Sequence, residues 1–111
     1  MTATILHNPR CSKSREALAI LRATGREIAV VEYLRTPPPA AELSRLYARA
    51  GLRPRDGLRR SEPGAAGLDD ADDAAVLAAM AADPSLIERP LVETDKGVVL
   101  ARPPERVREI L

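Results

Sequence analysis

Apolar and polar positions follow two different periods along this chain, and the switches between them mark its elements. Residues 3–7, Ala-Thr-Ile-Leu-His, are short, apolar and partly β-branched, and Asn8-Pro9 breaks the run. A first strand ending in a loop is expected. Ser12 to Thr24 consists of helix formers, with Ala17, Leu18 and Leu21 at helical spacing and Gly25 as a stop. Glu27 to Tyr33 carries Ile28, Val30 and Val31, the pattern of a second strand. Strand, helix and strand within about thirty residues is the length of a βαβ unit, whose crossover is right-handed.

Thr36-Pro37-Pro38-Pro39 cannot lie inside a sheet and reads as a connector. Leu43, Leu46, Tyr47 and Ala50 then repeat at i, i+3, i+4 and i+7, a helix that Gly51 ends. Leu52 to Ala71 holds three glycines and two prolines without a sustained period, so loop is expected, with one turn of helix near Leu58. Asp69, Asp70, Asp72 and Asp73 precede a third helix running to about Ala82, because acids favour a helix start. Its core face would be Val76, Leu77 and Met80, and Asp83-Pro84 stops it. Leu91–Thr94 and Val98–Ala101 flank Asp95-Lys96-Gly97, which predicts a hairpin. Pro103-Pro104-Glu105 opens a short helix with Val107, Ile110 and Leu111 facing inward. The order β-α-β-α-α-β-β-α predicts a small α/β sheet, parallel in its first half, with helices on both faces.

The 111 residues suit one domain, 1–111. With no Phe, no Trp and two tyrosines, the core must be aliphatic. Seventeen basic against 16 acidic residues lack the basic excess of a nucleic-acid binder, and stacking aromatics are missing too. No apolar run approaches the roughly 20 residues of a membrane span, and Met1 to Pro9 lacks the pattern of a signal peptide. A cytoplasmic protein with neither nucleic acid nor membrane as partner is expected. A single cysteine excludes an internal disulfide and a Cys-cluster zinc site, and no metal is implied.

That cysteine carries the chemistry. Cys11 lies in His7-Asn8-Pro9-Arg10-Cys11-Ser12-Lys13-Ser14-Arg15, between the first strand and the first helix. A helix N-terminus and nearby cations depress a thiol pKa to roughly 3.5–7.5 and favour the reactive thiolate. Arg10, Lys13 and Arg15 supply charge, the free backbone N–H groups would bind an anion, and Ser12 and Ser14 add hydroxyls. Arg15 follows Cys11 after three residues, not the five of a tyrosine-phosphatase loop. Ser14 stands where a dithiol motif needs its second cysteine, so a disulfide at Cys11 must be resolved by another molecule's thiol. His7, the only histidine, is either a satisfied structural group or a hydrogen bond or positive charge near Cys11. Among fifteen arginines, Arg22, Arg26, Arg45, Arg49, Arg106 and Arg108 fall on helix exteriors or ends. Arg59, Arg89 and Arg102 instead sit in loops or beside strands, where guanidinium forks could hold a tetrahedral oxyanion bidentately.

These residues resemble the glutaredoxin-coupled arsenate reductases, the ArsC family. The likeness runs from His7–Arg15 through Tyr33-Leu34 and Thr36-Pro37-Pro38, Leu58-Arg59-Arg60, Glu88-Arg89-Pro90-Leu91-Val92 and Ala101-Arg102-Pro103, in order over essentially the whole chain. The resemblance implies a thioredoxin-like α/β fold, a small mixed four-stranded sheet flanked by helices with a helical insertion, and a cis Arg89-Pro90 bond. It implies that Cys11 attacks arsenate and forms a covalent adduct, that Arg59, Arg89 and Arg102 hold the oxyanion, and that His7 and Ser14 keep the cysteine ionised. Glutathione as co-substrate and glutaredoxin as partner would complete the reduction to arsenite, an arsenic-resistance activity without a bound cofactor. Ser12-Lys13 stands where plasmid-type members carry Gly-Thr, and the chain stops at Leu111 without their C-terminal extension. Both features resemble a shorter chromosomal branch. The readings set against this one are a monothiol oxidoreductase of another oxyanion or of glutathionylated proteins, and an ArsC-like regulatory module that binds RNA polymerase.

Overall fold

The computed structural model describes residues 2–111. The chain forms two compact units, one running to Thr36 and resuming at Arg89–Leu111, the other Pro37–Glu88. The second is thus an insertion between the two halves of the first.

The first unit holds strands β1 (Thr2–His7), β2 (Glu27–Glu32), β3 (Leu91–Thr94) and β4 (Gly97–Leu100) in one sheet of order β2-β1-β3-β4. β1 pairs parallel with β2 and antiparallel with β3, and β3 pairs antiparallel with β4. Helix α1 (Ser12–Arg22) makes the crossover between the parallel pair. Ile5 lies opposite Val92, and Val92 opposite Val99, so the strand alternation puts all three on one face. Ala17, Leu18 and Leu21 of α1 and Val107 and Ile110 of a 3₁₀ segment, Pro104–Ile110, close over that row. Each fully buried Ile, Leu or Val contributes roughly 1.5–3 kcal/mol, so this row is the main store of stability in the unit. Val30, opposite Ile5 on the edge strand, stays 41% exposed.

Local chemistry sets the element ends. α1 stops at Arg22, short of the Thr24 expected, because the Thr24 hydroxyl donates to the Leu21 carbonyl at 2.6 Å and Gly25 turns into φ +74°. β2 ends one residue before Tyr33, where the Glu32 carbonyl accepts N–H groups of both Arg35 and Thr36. β4 starts and ends one residue earlier than Val98–Ala101. The final helix is 3₁₀ in geometry, and Leu111 is only partly buried beside the fully inward Val107. The Arg89-Pro90 bond is cis as expected, and so is Arg102-Pro103.

In the second unit, α2 (Ala40–Ala50) buries Leu43, Leu46 and Tyr47 and ends on Gly51 in the left-handed region. α3 (Asp73–Ala82) is capped by Asp72, whose carboxylate accepts the Ala75 N–H at 2.8 Å. Val76 and Met80 are buried, but Leu77 is only partly so. The Tyr47 hydroxyl lies 3.7 Å from the Met80 sulfur and ties α2 to α3. Residues 52–71 contain two 3₁₀ turns, Pro54–Gly57 and Pro63–Leu68, where one was expected, and Pro84–Leu86 forms another. The Arg55 guanidinium donates to the Asp69 and Ala71 carbonyls at 3.2 and 2.6 Å. It thereby satisfies backbone groups that no helix or sheet ladder reaches. No helix among the described residues is long and apolar enough to cross a membrane.

Candidate active site at the Cys11 loop

The site starts from the end of β1. His7 and Asn8 are buried there, and the chain turns through Pro9 and Arg10 into α1. Asn8 was expected only to break the strand, yet it organises the turn. Its carbonyl accepts the Cys11 N–H at 3.0 Å, and its side-chain oxygen accepts the Arg10 N–H at 3.0 Å. Its own N–H donates to the Ser14 hydroxyl at 3.0 Å. The available signal was an Asn three residues before the cysteine that caps the helix, since Asn side chains bond the backbone two residues on, here at Arg10.

Cys11 is the N-cap of α1. No capping hydrogen bond of ordinary length closes on its sulfur, but the N–H groups of Ser14 and Lys13 are directed at it and favour its ionised form. Burial pushes the thiol up, while the Ser14 N–H, the Arg89 charge, the Lys13 N–H and the Arg102 guanidinium push it down. The lowering effects prevail, and Cys11 lies below the ordinary thiol value. With no acid in the first turn of α1, the helix dipole acts on the sulfur uncompensated.

Ser14 has no solvent exposure, and its hydroxyl lies 2.7 Å from His7 Nδ1. The hydroxyl accepts the Asn8 N–H, so the bond to His7 uses either the hydroxyl proton or the ring proton. Burial lowers the His7 pKa, Glu32 raises it, and Arg22 and Arg15 lower it further. The net shift is downward from 6.5, so the ring is neutral at pH 7. His7 therefore reaches Cys11 through Ser14, as an uncharged hydrogen-bonding group.

Arg89 and Arg102 arrive from far along the chain. Arg102 Nη1 lies 4.0 Å from the Cys11 sulfur and donates to the Arg89 carbonyl at 3.0 Å. β3, paired with β1, and β4, paired with β3, bring both arginines to the Cys11 end of the sheet. The sheet unit thus gathers Cys11, His7, Ser14, Arg89 and Arg102. Arg59 belongs to the inserted unit, where its N–H donates to the Leu86 carbonyl at 2.7 Å beside a bridge between Leu58 and Ile87. Its guanidinium pairs with Glu62 at 3.4 Å, and its buried Nε has no partner. Arg26, expected outside, has a largely buried side chain 3.8 Å from Asp95. No group of three or more His, Cys, Asp or Glu among the described residues could hold a metal ion.

A thiol with a lowered pKa at a helix start, flanked by two guanidinium groups, suits a nucleophile for a tetrahedral oxyanion. The family model that matches residues 6–110 is that of the ArsC family. The chain belongs to the ArsC family. It is 47% identical to an arsenate reductase of Rhizobium meliloti over 115 residues, which span the whole chain and 82% of that relative. It is also 43% identical to the uncharacterized protein YfgD of Escherichia coli, over 96% of this chain and 94% of that one. A solved arsenate reductase from Vibrio cholerae superposes on this ArsC-family chain with a TM-score of 0.92 at 46% identity, covering 100% of this chain and 98% of the other. The thioredoxin-like architecture expected of the family is the one found, with Pro37–Glu88 as its helical insertion.

Proposed function

We propose that this ArsC-family chain, working as a single cytoplasmic domain, reduces arsenate to arsenite through a covalent adduct at Cys11. The Cys11 thiolate attacks arsenic and forms an S–As bond, and an arsenate oxygen leaves as water. A glutathione thiol then attacks the adduct. When the two sulfurs join as a mixed disulfide, each gives one electron, and As(V) leaves as As(III). Glutaredoxin takes the glutathionyl group and restores the Cys11 thiol. Arg89 and Arg102 hold the oxyanion charge during the attack, and Arg59 takes the third anion-holding role by the likeness of Leu58-Arg59-Arg60 to the family motif. Ser14 and His7 keep the thiolate loop in place. No bound cofactor is needed.

The observation that carries this reading is the lowered Cys11 thiol with Arg102 Nη1 4.0 Å from its sulfur. The arsenate reductases among its relatives supply the substrate. A regulatory module would have no use for two guanidinium groups converging on one sulfur. The test is NADPH oxidation with arsenate, glutathione, glutaredoxin and glutathione reductase, run on wild type and Cys11→Ser. Arsenate-dependent turnover in the wild type that vanishes in the variant is expected. Equal turnover in both would refute the covalent route.

A further inference from the structure

A cavity of about 430 Å³ opens beside the Cys11 loop, lined by residues 7–10 of the β1 end and by Glu32, Leu34 and Arg35 after β2. Its volume lies within the range of about 300–1,000 Å³ found for small-ligand sites. Two of its side chains are guanidiniums, Arg10 and Arg35, and one is a carboxylate, Glu32. Among the described residues none of these three side chains makes a hydrogen bond or an ion pair. Three charged groups converge on one hollow with their bonding capacity unspent. Leu34, 44% exposed, adds an apolar contact on the same rim. His7 is 6% exposed and lines the hollow with Nδ1 already committed to Ser14, so Nε2 is the ring nitrogen left for a ligand.

We infer that this cavity seats the glutathione that resolves the Cys11 adduct, with Arg10 and Arg35 taking its two carboxylates and Glu32 its ammonium group. The inference rests on the function proposed above and locates the thiol donor of that reaction. The charges match one for one. Two carboxylates and one ammonium give the tripeptide a net charge of −1, and two guanidiniums and one carboxylate give the cavity +1. A guanidinium fork binds a carboxylate with two parallel hydrogen bonds, which sets the orientation of the tripeptide as well as its affinity. Methylene groups of its glutamyl arm would cover Leu34.

The cavity adjoins the Cys11 loop, and Cys11 itself is not part of its lining. Arg10 precedes Cys11, so their Cα atoms are about 3.8 Å apart, and the Cys11 N–H is bonded to Asn8 of the same wall. The sheet order β2-β1-β3-β4 places the cavity on the β2 side of β1, whereas Arg89 and Arg102 flank β3 and β4 on the other side. A glutathione seated there would engage Arg10 and Arg35 and leave Arg89 and Arg102 to the oxyanion.

The experiment is a titration of ¹⁵N-labelled reduced protein with S-methylglutathione, which binds without thiol chemistry, in the absence of arsenate. Saturable shifts of the Asn8, Arg10, Leu34 and Arg35 amides are expected. Charged hydrogen bonds of this kind are worth enough that Arg35→Ala and Glu32→Gln should each weaken binding roughly tenfold. In turnover, both variants should raise KM for glutathione by a similar factor and leave KM for arsenate in place. Thermal melts confirm that the variants fold. Shifts confined to the Arg89–Val92 segment, or no saturable shift, overturn the assignment. If arsenate turnover fails while these amides still respond, the proposed function falls and the glutathione site stands. If turnover proceeds with KM for glutathione unmoved in both variants, the site falls and the function stands.

Discussion

At Cys11 the opposing effects are burial, which penalises the thiolate, and the surrounding N–H groups and guanidiniums, which stabilise it. Arg89 is the strongest of the charged contributors. An unfolded cysteine titrates at about 8.5, and the folded thiol is lowered below its ordinary value. Ionisation therefore adds stability that is fully present above the unfolded value and is lost as pH falls through the folded one. The same shift raises the thiolate fraction of Cys11 at neutral pH. Arg89→Ala should move the midpoint of the pH profile for Cys11 alkylation upward, towards the free-thiol value, and Arg102→Ala should move it less. An unchanged midpoint in Arg89→Ala would show that the backbone N–H groups of Ser14 and Lys13 suffice. The loop itself was readable from residues 7–15, because a strand end, a helix start and three cations lie within nine consecutive positions. The meeting of Arg102 with Cys11 spans 91 positions and depends on strand order, which local spacing does not encode. His7 was readable as a neighbour of the thiol, but its neutral state follows from burial that only the folded sheet creates.

At the scale of elements, α1, α2, α3 and the β3–β4 hairpin follow the apolar period closely, since each buries one face against a partner. The aperiodic stretch between α2 and α3 could not be read this way. Its 3₁₀ turns are held by prolines at their starts and by the Arg55 guanidinium on two carbonyls, and neither leaves a hydrophobic repeat. One glycine there is fixed by close approach. A Cβ at Gly57 would overlap the ring of Tyr47, whose hydroxyl meets Met80 and whose side chain is 1% exposed. Gly67, by contrast, has nothing within 4 Å and no positive φ. Overpacking of this kind costs about 1–3 kcal/mol. Gly57→Ala should therefore lower Tm by roughly 4–8 °C for each kcal/mol lost. Gly67→Ala should leave Tm unchanged or raise it slightly, because it narrows the unfolded ensemble without strain. Differential scanning calorimetry on the pair checks both, and equal melting temperatures would show that Tyr47 can move aside.

For the molecule as a whole, the cysteine count governs the electron balance. Reducing As(V) to As(III) takes two electrons, and two thiols joining as one disulfide supply them. The chain owns one thiol, and Cys11, buried at 9% exposure, is poorly placed to meet a second copy of itself. The position that would carry a resolving thiol holds Ser14, fully buried and committed to His7 and Asn8. On the proposed route both electrons pass through one protein sulfur and one thiol from solution, with the second solution thiol consumed when the mixed disulfide is cleared. The stoichiometry of that proposed route is one arsenate and two glutathiones to one arsenite, one glutathione disulfide and one water. Turnover should consume two glutathiones per arsenite formed and should stop without an added small thiol. Thioredoxin with its reductase should not replace glutathione, since no internal disulfide forms for it to reduce. Arsenite and glutathione disulfide quantified from one reaction would decide it. A ratio of one to one is expected, and sustained arsenite production with thioredoxin alone would mean that a second protein thiol, from a partner copy, enters the cycle.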